Sequence, residues 1–190
     1  MIVIIDGCDK AGKSTVIEKL KNKVDHGLML KNLDKPKDGT NSSQLTIKDH
    51  YEEMAVLMKS NPYFIYVLDR WYPTELVYSS IKRGYDSFGD KFYKQFDRKM
   101  AKEPNLYIWV DADPELIKAR FIKDGEDFAK VNEVEQIRER YQFFFDKTSL
   151  NKARVDTTND LEGAINFIVS CINRVDHNNI TDGREYKYEH

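Results

Sequence analysis

The chain has 190 residues, of which 41% are hydrophobic and 33% charged, and its formal net charge is -2 at pH 7. This length suits one α/β domain with a single core, and the nearly balanced charge argues against a protein that binds nucleic acid mainly by electrostatics. Two cysteines, Cys8 and Cys171, are too few for a disulfide framework and too far apart for a metal site. No signal-peptide pattern or membrane-length apolar run is present, so we expect a cytoplasmic protein without membrane contacts.

The first predicted element is a short, apolar and β-branched strand over residues 2–5, which is typical of a buried parallel strand. A loop with the complete pattern G-x-x-x-x-G-K-[ST] follows it, and a helix follows the loop. The candidate phosphate-binding residues are Gly7, Cys8, Asp9, Lys10, Ala11, Gly12, Lys13, Ser14 and Thr15.

This strand, loop and helix predict a nucleoside triphosphate site that also binds Mg²⁺. The glycines let backbone N–H groups wrap an anion, and the N-terminus of the helix adds a favourable dipole. Lys13 is expected to reach the β- and γ-phosphates, and the Ser14 hydroxyl is expected to bind Mg²⁺.

Further strands are predicted near residues 28–30, 64–68, 106–110 and 154–155, with helical segments between them. Alternating strands and helices predict a three-layer α/β fold of the P-loop NTPase type, with a central five-stranded parallel sheet. The sequence becomes polar after residue 174. We therefore expect one domain over 1–174 and a loose or docking tail over 175–190.

Acidic residues follow three of the predicted strands, where the chemistry of such sheets usually lies. They are Asp6, Asp69 and Asp111, and Arg70 comes directly after Asp69. A carboxylate holds Mg²⁺ and a guanidinium grips two phosphate oxygens, so Asp69 and Arg70 suit phosphoryl transfer. We take Asp69, with Ser14, as a candidate metal ligand; a surface ion pair is the structural alternative. Asp111 is interpreted as a residue that shapes a turn.

With these motifs the sequence resembles the thymidylate kinases and, more loosely, the related deoxynucleoside kinases. Residues 4–15 look like the family's phosphate loop, and 69–71 stand in the place of its D-R-[YH] motif. Residues 111–120 match the stretch that leads into the family's lid, and the short lid itself is expected over 123–130. The resemblance covers roughly residues 1–174 and implies a homodimer.

The resemblance implies an enzyme that transfers a phosphoryl group from ATP, with Mg²⁺, to a deoxynucleoside monophosphate, either dTMP or a related pyrimidine deoxynucleotide. It implies that Asp9 binds the acceptor sugar and that Arg70 anchors the acceptor phosphate. The candidate catalytic residues are Lys10, Lys13, Asp69, Arg70 and Arg120. The candidate acceptor-binding residues are Asp9, Lys35, Tyr51, Arg70, Tyr72, Glu75 and Tyr78. A solvated turn explains Lys35 equally well, and core packing explains Tyr72 and Tyr78 equally well.

Three departures from the family's pattern concern the transferred phosphate and the acceptor. Lys10 replaces the usual arginine, Tyr51 has no arginine four residues after it, and Glu75 stands where the family usually has a small residue. Near a base or sugar, a carboxylate prefers a hydrogen-bond donor. We interpret Glu75 either as a reader of such a donor or as a helix N-terminal residue that faces water.

Other functions remain open at this point. The main alternative is a deoxynucleoside kinase that phosphorylates a free nucleoside. A kinase that acts on a hydroxyl within nucleic acid would use the basic residues over 82–99, although the acidic balance of the chain disfavours it. A non-enzymatic nucleotide-binding switch is less expected, since 151–154 reads Asn-Lys-Ala-Arg and lacks the final acid of a guanine-binding motif. We therefore expect a small-molecule nucleotide as the partner and no nucleic acid.

Overall fold

The computed structural model describes residues 1–31, 41–126 and 128–188. Within these ranges a six-stranded parallel sheet forms the centre of the fold, in the order β2-β3-β1-β4-β5-β6. Its strands are β1 (Ile2–Asp6), β2 (Gly27–Lys31), β3 (Ile65–Asp69), β4 (Asn105–Asp111), β5 (Lys152–Asp156) and β6 (Glu185–Lys187).

Helices cover both faces of this sheet and complete the predicted three-layer α/β fold. They are α1 (Lys13–Leu20), α2 (Asn41–Ser60), α3 (Tyr72–Lys82), α4 (Lys91–Met100), α5 (Pro114–Asp124), α6 (Val134–Lys147) and α7 (Leu161–Asn178), with 3-10 turns at Ser87–Gly89 and Val131–Glu133. In the described part of the chain, none of these helices has the length and apolarity needed to cross a membrane.

Alternating side chains of the strands divide the interior into two cores. Along β1, Ile2 and Ile4 pack with α2 to α6, whereas Val3 and Ile5 pack with α1 and α7. Because β1 is buried on both faces, it has no polar position before Asp6. This explains why the strand reads as an uninterrupted apolar run in the sequence.

The prediction of five strands is wrong by one, because β6 adds a sixth strand at the edge of the sheet. It pairs with β5 through Ala153 and Tyr186, and Tyr186 is only 6% exposed. The segment has one apolar residue between two charged ones, which is too short a pattern to predict a strand. Helix α7 also continues past Arg174 to Asn178. The described residues after 174 therefore extend the last helix and the sheet.

The order of the strands determines where a ligand can bind. Strand β1 lies between β3 and β4. After β1 the chain first adds β2 and β3 on one side of it and then adds β4, β5 and β6 on the other side, so the strand order reverses at β1. In sheets of this type the crevice beyond the carboxyl ends of such strands is the usual binding site. Asp6, Asp69 and Asp111 end the three strands that border this crevice.

Replacement of Tyr186 by alanine should lower the free energy of unfolding by about 2–4 kcal/mol, because it removes a buried aromatic ring between β6 and α7. Urea denaturation followed by circular dichroism measures the change. The exposed neighbour Lys187 provides the control, since Lys187→Ala should change stability by less than about 0.5 kcal/mol. Equal stability of the Tyr186→Ala variant and the unmodified protein would show that β6 does not contribute to the fold.

Candidate active site

The loop between β1 and α1 has backbone geometry that requires glycine at two positions. Gly7 has a φ of +149°, and a Cβ there would lie 2.0 Å from the carbonyl oxygen of Val110. Gly12 has a φ of +97°, and a Cβ there would lie 3.1 Å from Oγ1 of Thr157. The same Thr157 hydroxyl donates a hydrogen bond to the carbonyl of Ala11, at 2.9 Å. The neighbouring strands thus hold the loop closely and leave no room for side chains at these glycines.

Lys13 is buried in this loop, and its Nζ donates a hydrogen bond of 2.7 Å to the carbonyl of Cys8. Burial, and then the nearby Arg70 guanidinium, lower the pKa of Lys13 to about 8 from 10.5, while Asp9 and Asp6 oppose the shift. A buried ammonium group near a second cation is stabilised by any anion that enters the loop. The residues present therefore fit a phosphate group.

A cavity of about 660 Å³ opens above the loop, and we call it the phosphate cavity. Most of the predicted site residues meet in its wall. Those that line it are Asp9, Lys10, Gly12, Lys13, Ser14, Thr15, Asp69, Arg70 and Arg120. The remaining loop residues, Gly7, Cys8 and Ala11, are buried, so only their backbone is suited to face a ligand.

Arg70 is held from several sides at the wall of the phosphate cavity. Its φ of +68° lies in the left-handed region, which is uncommon for a residue with a side chain. Its Nη2 donates to the Asp9 carboxylate, and its Nη1 lies 3.4 Å from the Tyr141 hydroxyl and 3.8 Å from Asp6. The guanidinium carbon also lies 5.6 Å from the centre of the Tyr78 ring. These contacts orient the guanidinium before any ligand binds.

Asp6 is a fully buried carboxylate at the end of β1 and joins three segments of the chain. It accepts hydrogen bonds from the backbone N–H of Gly7 at 2.8 Å, from the Thr74 hydroxyl at 2.7 Å and from the Tyr141 hydroxyl at 2.7 Å. Burial raises the pKa of Asp6, and the charge of Arg70 opposes this increase. Thr74 and Tyr141 could not be predicted as site residues from the sequence, because each lies inside a helix and no motif marks it.

The carboxylate of Asp9 connects Arg70 to the expected lid. One oxygen accepts from Arg70, and the other accepts a hydrogen bond of 3.1 Å from the backbone N–H of Ala129. On the same side, Arg120 donates a hydrogen bond of 2.8 Å to the carbonyl of Lys10. The lid segment after α5 therefore contacts the phosphate loop through the backbone N–H of Ala129, and Arg120 of α5 itself adds a second contact.

Asp111 does more than shape a turn. It is buried, accepts two hydrogen bonds from Arg138 at 2.9 and 2.8 Å, and accepts a third from Arg154 at 2.7 Å. The helix cap is Asp113, which accepts from two backbone N–H groups in the first turn of α5. The interpretation of Asp111 was therefore incomplete, since the sequence contained no sign of its two arginine partners.

The aromatic residues predicted to bind the acceptor lie within the core. Tyr51 is buried in an aromatic cluster, and the Tyr72 hydroxyl donates a hydrogen bond of 2.7 Å to Asp97. Tyr78 is also buried, and its hydroxyl has no hydrogen-bond partner in the described part of the structure. Lys35 lies outside the described residues. Of this group, Tyr78 is in contact with Arg70 and stays the strongest candidate for the acceptor side.

Glu75, in the first turn of α3, is buried and does not face water. It is 2% exposed, forms an ion pair with Arg83 and accepts a hydrogen bond from the Tyr85 hydroxyl. Burial raises the pKa of Glu75, and Arg83 is the main group that opposes this shift. The interpretation of Glu75 as a water-facing helix residue is therefore wrong.

The chain is similar in sequence to two curated thymidylate kinases, although no family model matches it. It is 23% identical to the thymidylate kinase of Schizosaccharomyces pombe, with 92% of each chain covered. It is 26% identical to the probable thymidylate kinase of Archaeoglobus fulgidus, with 85% of this chain and 89% of that protein covered.

Three solved structures share the fold. The YorR protein of Bacillus subtilis, solved in complex with phosphorylated GDP, has a TM-score of 0.73 at 20% identity and covers 93% of this chain and 98% of its own. Deoxyadenosine kinase from M. mycoides has a TM-score of 0.64 at 17% identity, with 92% and 100% covered. Thymidylate kinase from Candida albicans has a TM-score of 0.58 at 13% identity, with 94% and 91% covered.

The parallel sheet and the phosphate loop give this chain the fold of the P-loop kinases. In sequence and fold the chain is thymidylate kinase-like over most of its length.

The low pKa of Lys13 predicts a pH-dependent cost to stability. Between pH 8 and 10.5 the unfolded chain retains a proton on Lys13 that the folded protein has lost, so the unfolding free energy rises with pH by about 3 kcal/mol through this residue. The Lys13→Met variant lacks this group. We expect it to be more stable than the unmodified protein at pH 7 and to lose that advantage towards pH 10, as measured by urea denaturation in phosphate-free buffer.

The matched control is Lys19→Met, which changes an exposed lysine of the same helix and should give no such gain. A stability difference for Lys13→Met that stays constant from pH 7 to 10 would contradict the buried, pKa-lowered state of Lys13.

The hydroxyl of Tyr141 links Arg70 to Asp6, so its removal should loosen the guanidinium. We expect Tyr141→Phe to raise about tenfold the KM of the substrate that Arg70 contacts, the equivalent of one hydrogen bond to a charged group, while the KM of the substrate held by the phosphate loop changes less than about twofold. Steady-state kinetics with each substrate varied in turn measures both values. Tyr107→Phe is the control, because the buried Tyr107 hydroxyl has no hydrogen-bond partner among the described residues. Equal increases in both KM values would indicate general disruption.

Proposed function

We propose that this enzyme transfers the γ-phosphoryl group of ATP to the phosphate of a deoxynucleoside monophosphate, dTMP or a related pyrimidine deoxynucleotide. One observation carries the proposal: the phosphate cavity contains, besides the loop and Lys13, an arginine held in place by Asp9, Tyr141 and Asp6. Such a guanidinium suits a second phosphate group, one that belongs to the acceptor. The names of the curated relatives support this assignment.

The phosphate loop is the proposed binding site of ATP, the phosphoryl donor. Its backbone N–H groups and the N-terminus of α1 bind the β- and γ-phosphates, and Lys13 lies beneath them. Lys10 and Arg120 line the same cavity and neutralise the charge that develops on the transferred group. Arg120 is joined to the loop through the carbonyl of Lys10, so its position depends on the loop.

Ser14 and Asp69 fit the requirements of a magnesium site. Both line the phosphate cavity, and together they provide one hydroxyl and one carboxylate. Mg²⁺ in kinases keeps several waters and takes few protein ligands besides the phosphates, so such a small set is sufficient. A bound Mg²⁺ would neutralise charge on the phosphate oxygens.

On the acceptor side, Arg70 holds the monophosphate and Asp9 holds the sugar. An oxygen of the acceptor phosphate forms a bond to the γ-phosphorus while the bond from that phosphorus to the β-phosphate oxygen breaks, so the products are a nucleoside diphosphate and ADP. Because the two phosphate groups repel each other, positioning by fixed cations is the main contribution of the protein. The homodimer and the lack of a nucleic-acid partner stay predictions.

A deoxynucleoside kinase is the second candidate, and the position of Asp69 favours it. This carboxylate lines the phosphate cavity directly before Arg70, where it is suited to accept a proton from a sugar hydroxyl. A free nucleoside would need such a base, whereas an acceptor phosphate would not. The two candidates therefore differ in whether the acceptor carries a phosphate.

Assays of ATP consumption with Mg²⁺ against a panel of nucleosides and nucleoside monophosphates test the proposal. We expect turnover with pyrimidine deoxynucleoside monophosphates and little with free nucleosides. The Lys13→Ala variant is the inactive control and should lose at least ~10²-fold in turnover, as is typical when one transition-state charge contact is removed. Faster turnover of free nucleosides than of their monophosphates would favour the second candidate.

Arg70→Lys tests the acceptor role of the guanidinium directly. Lysine retains the charge but cannot form the bidentate hydrogen bonds that a guanidinium forms to two phosphate oxygens. We expect the KM of the acceptor monophosphate to increase about tenfold or more, with the KM of ATP much less affected. If the KM of ATP increases as much as that of the acceptor, Arg70 serves the donor phosphates instead.

The buried pair of Glu75 and Arg83 provides a candidate for base recognition. Glu75 follows Thr74, which donates a hydrogen bond to Asp6. After burial, the charge of Glu75 is the main group that raises the pKa of Tyr51 in α2. Together the pair has one acceptor group and one donor group. Such a pair matches a base edge with a donor beside an acceptor, which is the amino group and N3 of a cytosine-type base or the N3–H and O4 of thymine.

Glu75→Gln should therefore change which acceptor is preferred. Across a panel of deoxynucleoside monophosphates we expect kcat/KM values to change rank by about tenfold or more, the equivalent of one charged hydrogen bond. The control is Glu52→Gln, which neutralises an acid that pairs with Lys99 at the surface of α2 and should leave the ranking unchanged. An unchanged ranking for Glu75→Gln, with lower thermal stability, would make the Glu75–Arg83 pair a purely structural feature.

A further inference from the structure

A second cavity, of about 390 Å³, lies between α3, α4 and α6 and shares no residue with the phosphate cavity. We call it the α4–α6 cavity. Aromatic rings form much of its wall, namely those of Phe88, Tyr93, Phe143 and Phe144. Phe143 is 48% exposed, and its ring meets that of Phe88 edge to face at 4.9 Å. An exposed pair of aromatic rings beside a cavity offers flat apolar surface to a ligand.

Three basic side chains line this cavity, and they differ from most other basic residues of the same helices, Lys91 of α4 excepted. Lys94, Arg98 and Lys147 have no ion pair within the described residues. By contrast, Lys99 pairs with Glu52, and Arg140 pairs with Asp86. The cations without a carboxylate partner on α4 and α6 are therefore concentrated at the cavity.

One acidic residue, Asp97, lies in the wall, but its carboxylate is already occupied. It is 8% exposed and accepts hydrogen bonds from the Tyr72 hydroxyl at 2.7 Å, the Thr148 hydroxyl at 2.7 Å and the backbone N–H of Ser149 at 2.8 Å. Hydrogen bonds from these three donors already occupy the carboxylate oxygens of Asp97. The lining of the cavity thus combines excess positive charge with aromatic surface.

We propose that the α4–α6 cavity is a second nucleotide site, separate from the catalytic one. The aromatic walls receive the base, and Lys94, Arg98 and Lys147 receive the phosphates. The volume falls within the range of small-molecule sites. An aromatic anion is the ligand class that uses both features, whereas an apolar ligand would leave the three cations unused.

The site is connected to the catalytic residues through the helices that form it. Helix α6 contributes Phe144 to the cavity and Tyr141 to the contact with Asp6 and Arg70. On the other side, Asp97 holds the hydroxyl of Tyr72, two residues after Arg70 in the chain. A ligand in the cavity that shifts α6 or Asp97 therefore changes the affinity for the acceptor, and the acceptor in turn changes the affinity for the ligand.

Photolabelling with 8-azido-ATP, followed by peptide mapping, tests the proposal on the full chain. We expect labelled peptides from residues 88–98 or 143–149 in addition to any from the phosphate loop. The double variant Lys94→Glu/Arg98→Glu should reduce labelling of the cavity peptides at least tenfold. Lys91→Glu is the matched control, because Lys91 is an exposed lysine of the same helix that does not line the cavity, and it should label normally.

Three results would overturn the proposal. The first is equal labelling of the cavity peptides in the double variant, shown by circular dichroism to be folded. The second is equal labelling by uncharged 8-azidoadenosine, which would mean that the cations do not select an anion. The third is a concentration-dependent dimer that covers the cavity and dissociates in the double variant. Labelling of the phosphate loop is scored separately, so a failure of the proposed kinase function does not affect the result.

Discussion

The buried carboxylate of Asp6 is the contact on which the active end of the molecule depends. It ends the strand β1 and receives hydrogen bonds from the loop, from α3 and from α6, three segments that are distant in sequence. A carboxylate without partners would be very unfavourable at this depth, so each donor is held where it can satisfy the charge. Arg70, the nearest cation, is thereby placed at the phosphate cavity.

A second buried acid, Asp111, completes the attachment of α6 to the sheet. Arg138 binds it with two nitrogens, and Tyr141, three residues later on the same helix, binds Asp6. Residues spaced by three lie on one side of a helix, so both contacts act from the same face. Helix α6 is thus fastened to the ends of two strands, while Phe143 and Phe144 of the same helix line the second cavity. This arrangement makes α6 the element through which the two cavities are connected.

The features that sequence analysis predicted correctly are those encoded by neighbouring residues. The phosphate loop, the strand before it, the three-layer fold and the Asp113 cap all depend on short runs of sequence, and the structure contains each of them. The missed features need partners from distant segments. Tyr141 contacts Asp6 across 135 positions, and Arg138 contacts Asp111 across 27. Strand β6 was missed because its stability comes from pairing with β5 and not from its own pattern.

The burial of Glu75 could not be predicted from the sequence either, because it depends on partners that are not adjacent in the chain. Its sequence position correctly indicated a first-turn acid in a helix, but its burial depends on Arg83 and Tyr85, which come from the end of that helix and the turn after it. From the sequence, a charged residue is expected to be exposed unless an oppositely charged partner stands close to it in the chain. Here the partner lies eight residues away, and only the packed structure brings it close.

The backbone of the phosphate cavity has a consequence for how this enzyme would respond to directed evolution. Lys10 occupies the left-handed region and Lys13 is a buried cation, so two of the predicted catalytic residues are unfavourable for the ligand-free fold. Selection for heat resistance alone would favour glycine at the first position and an apolar residue at the second. The thermostable descendants would then be inactive proteins with an intact sheet, which means that stability and catalysis must be selected together in this chain.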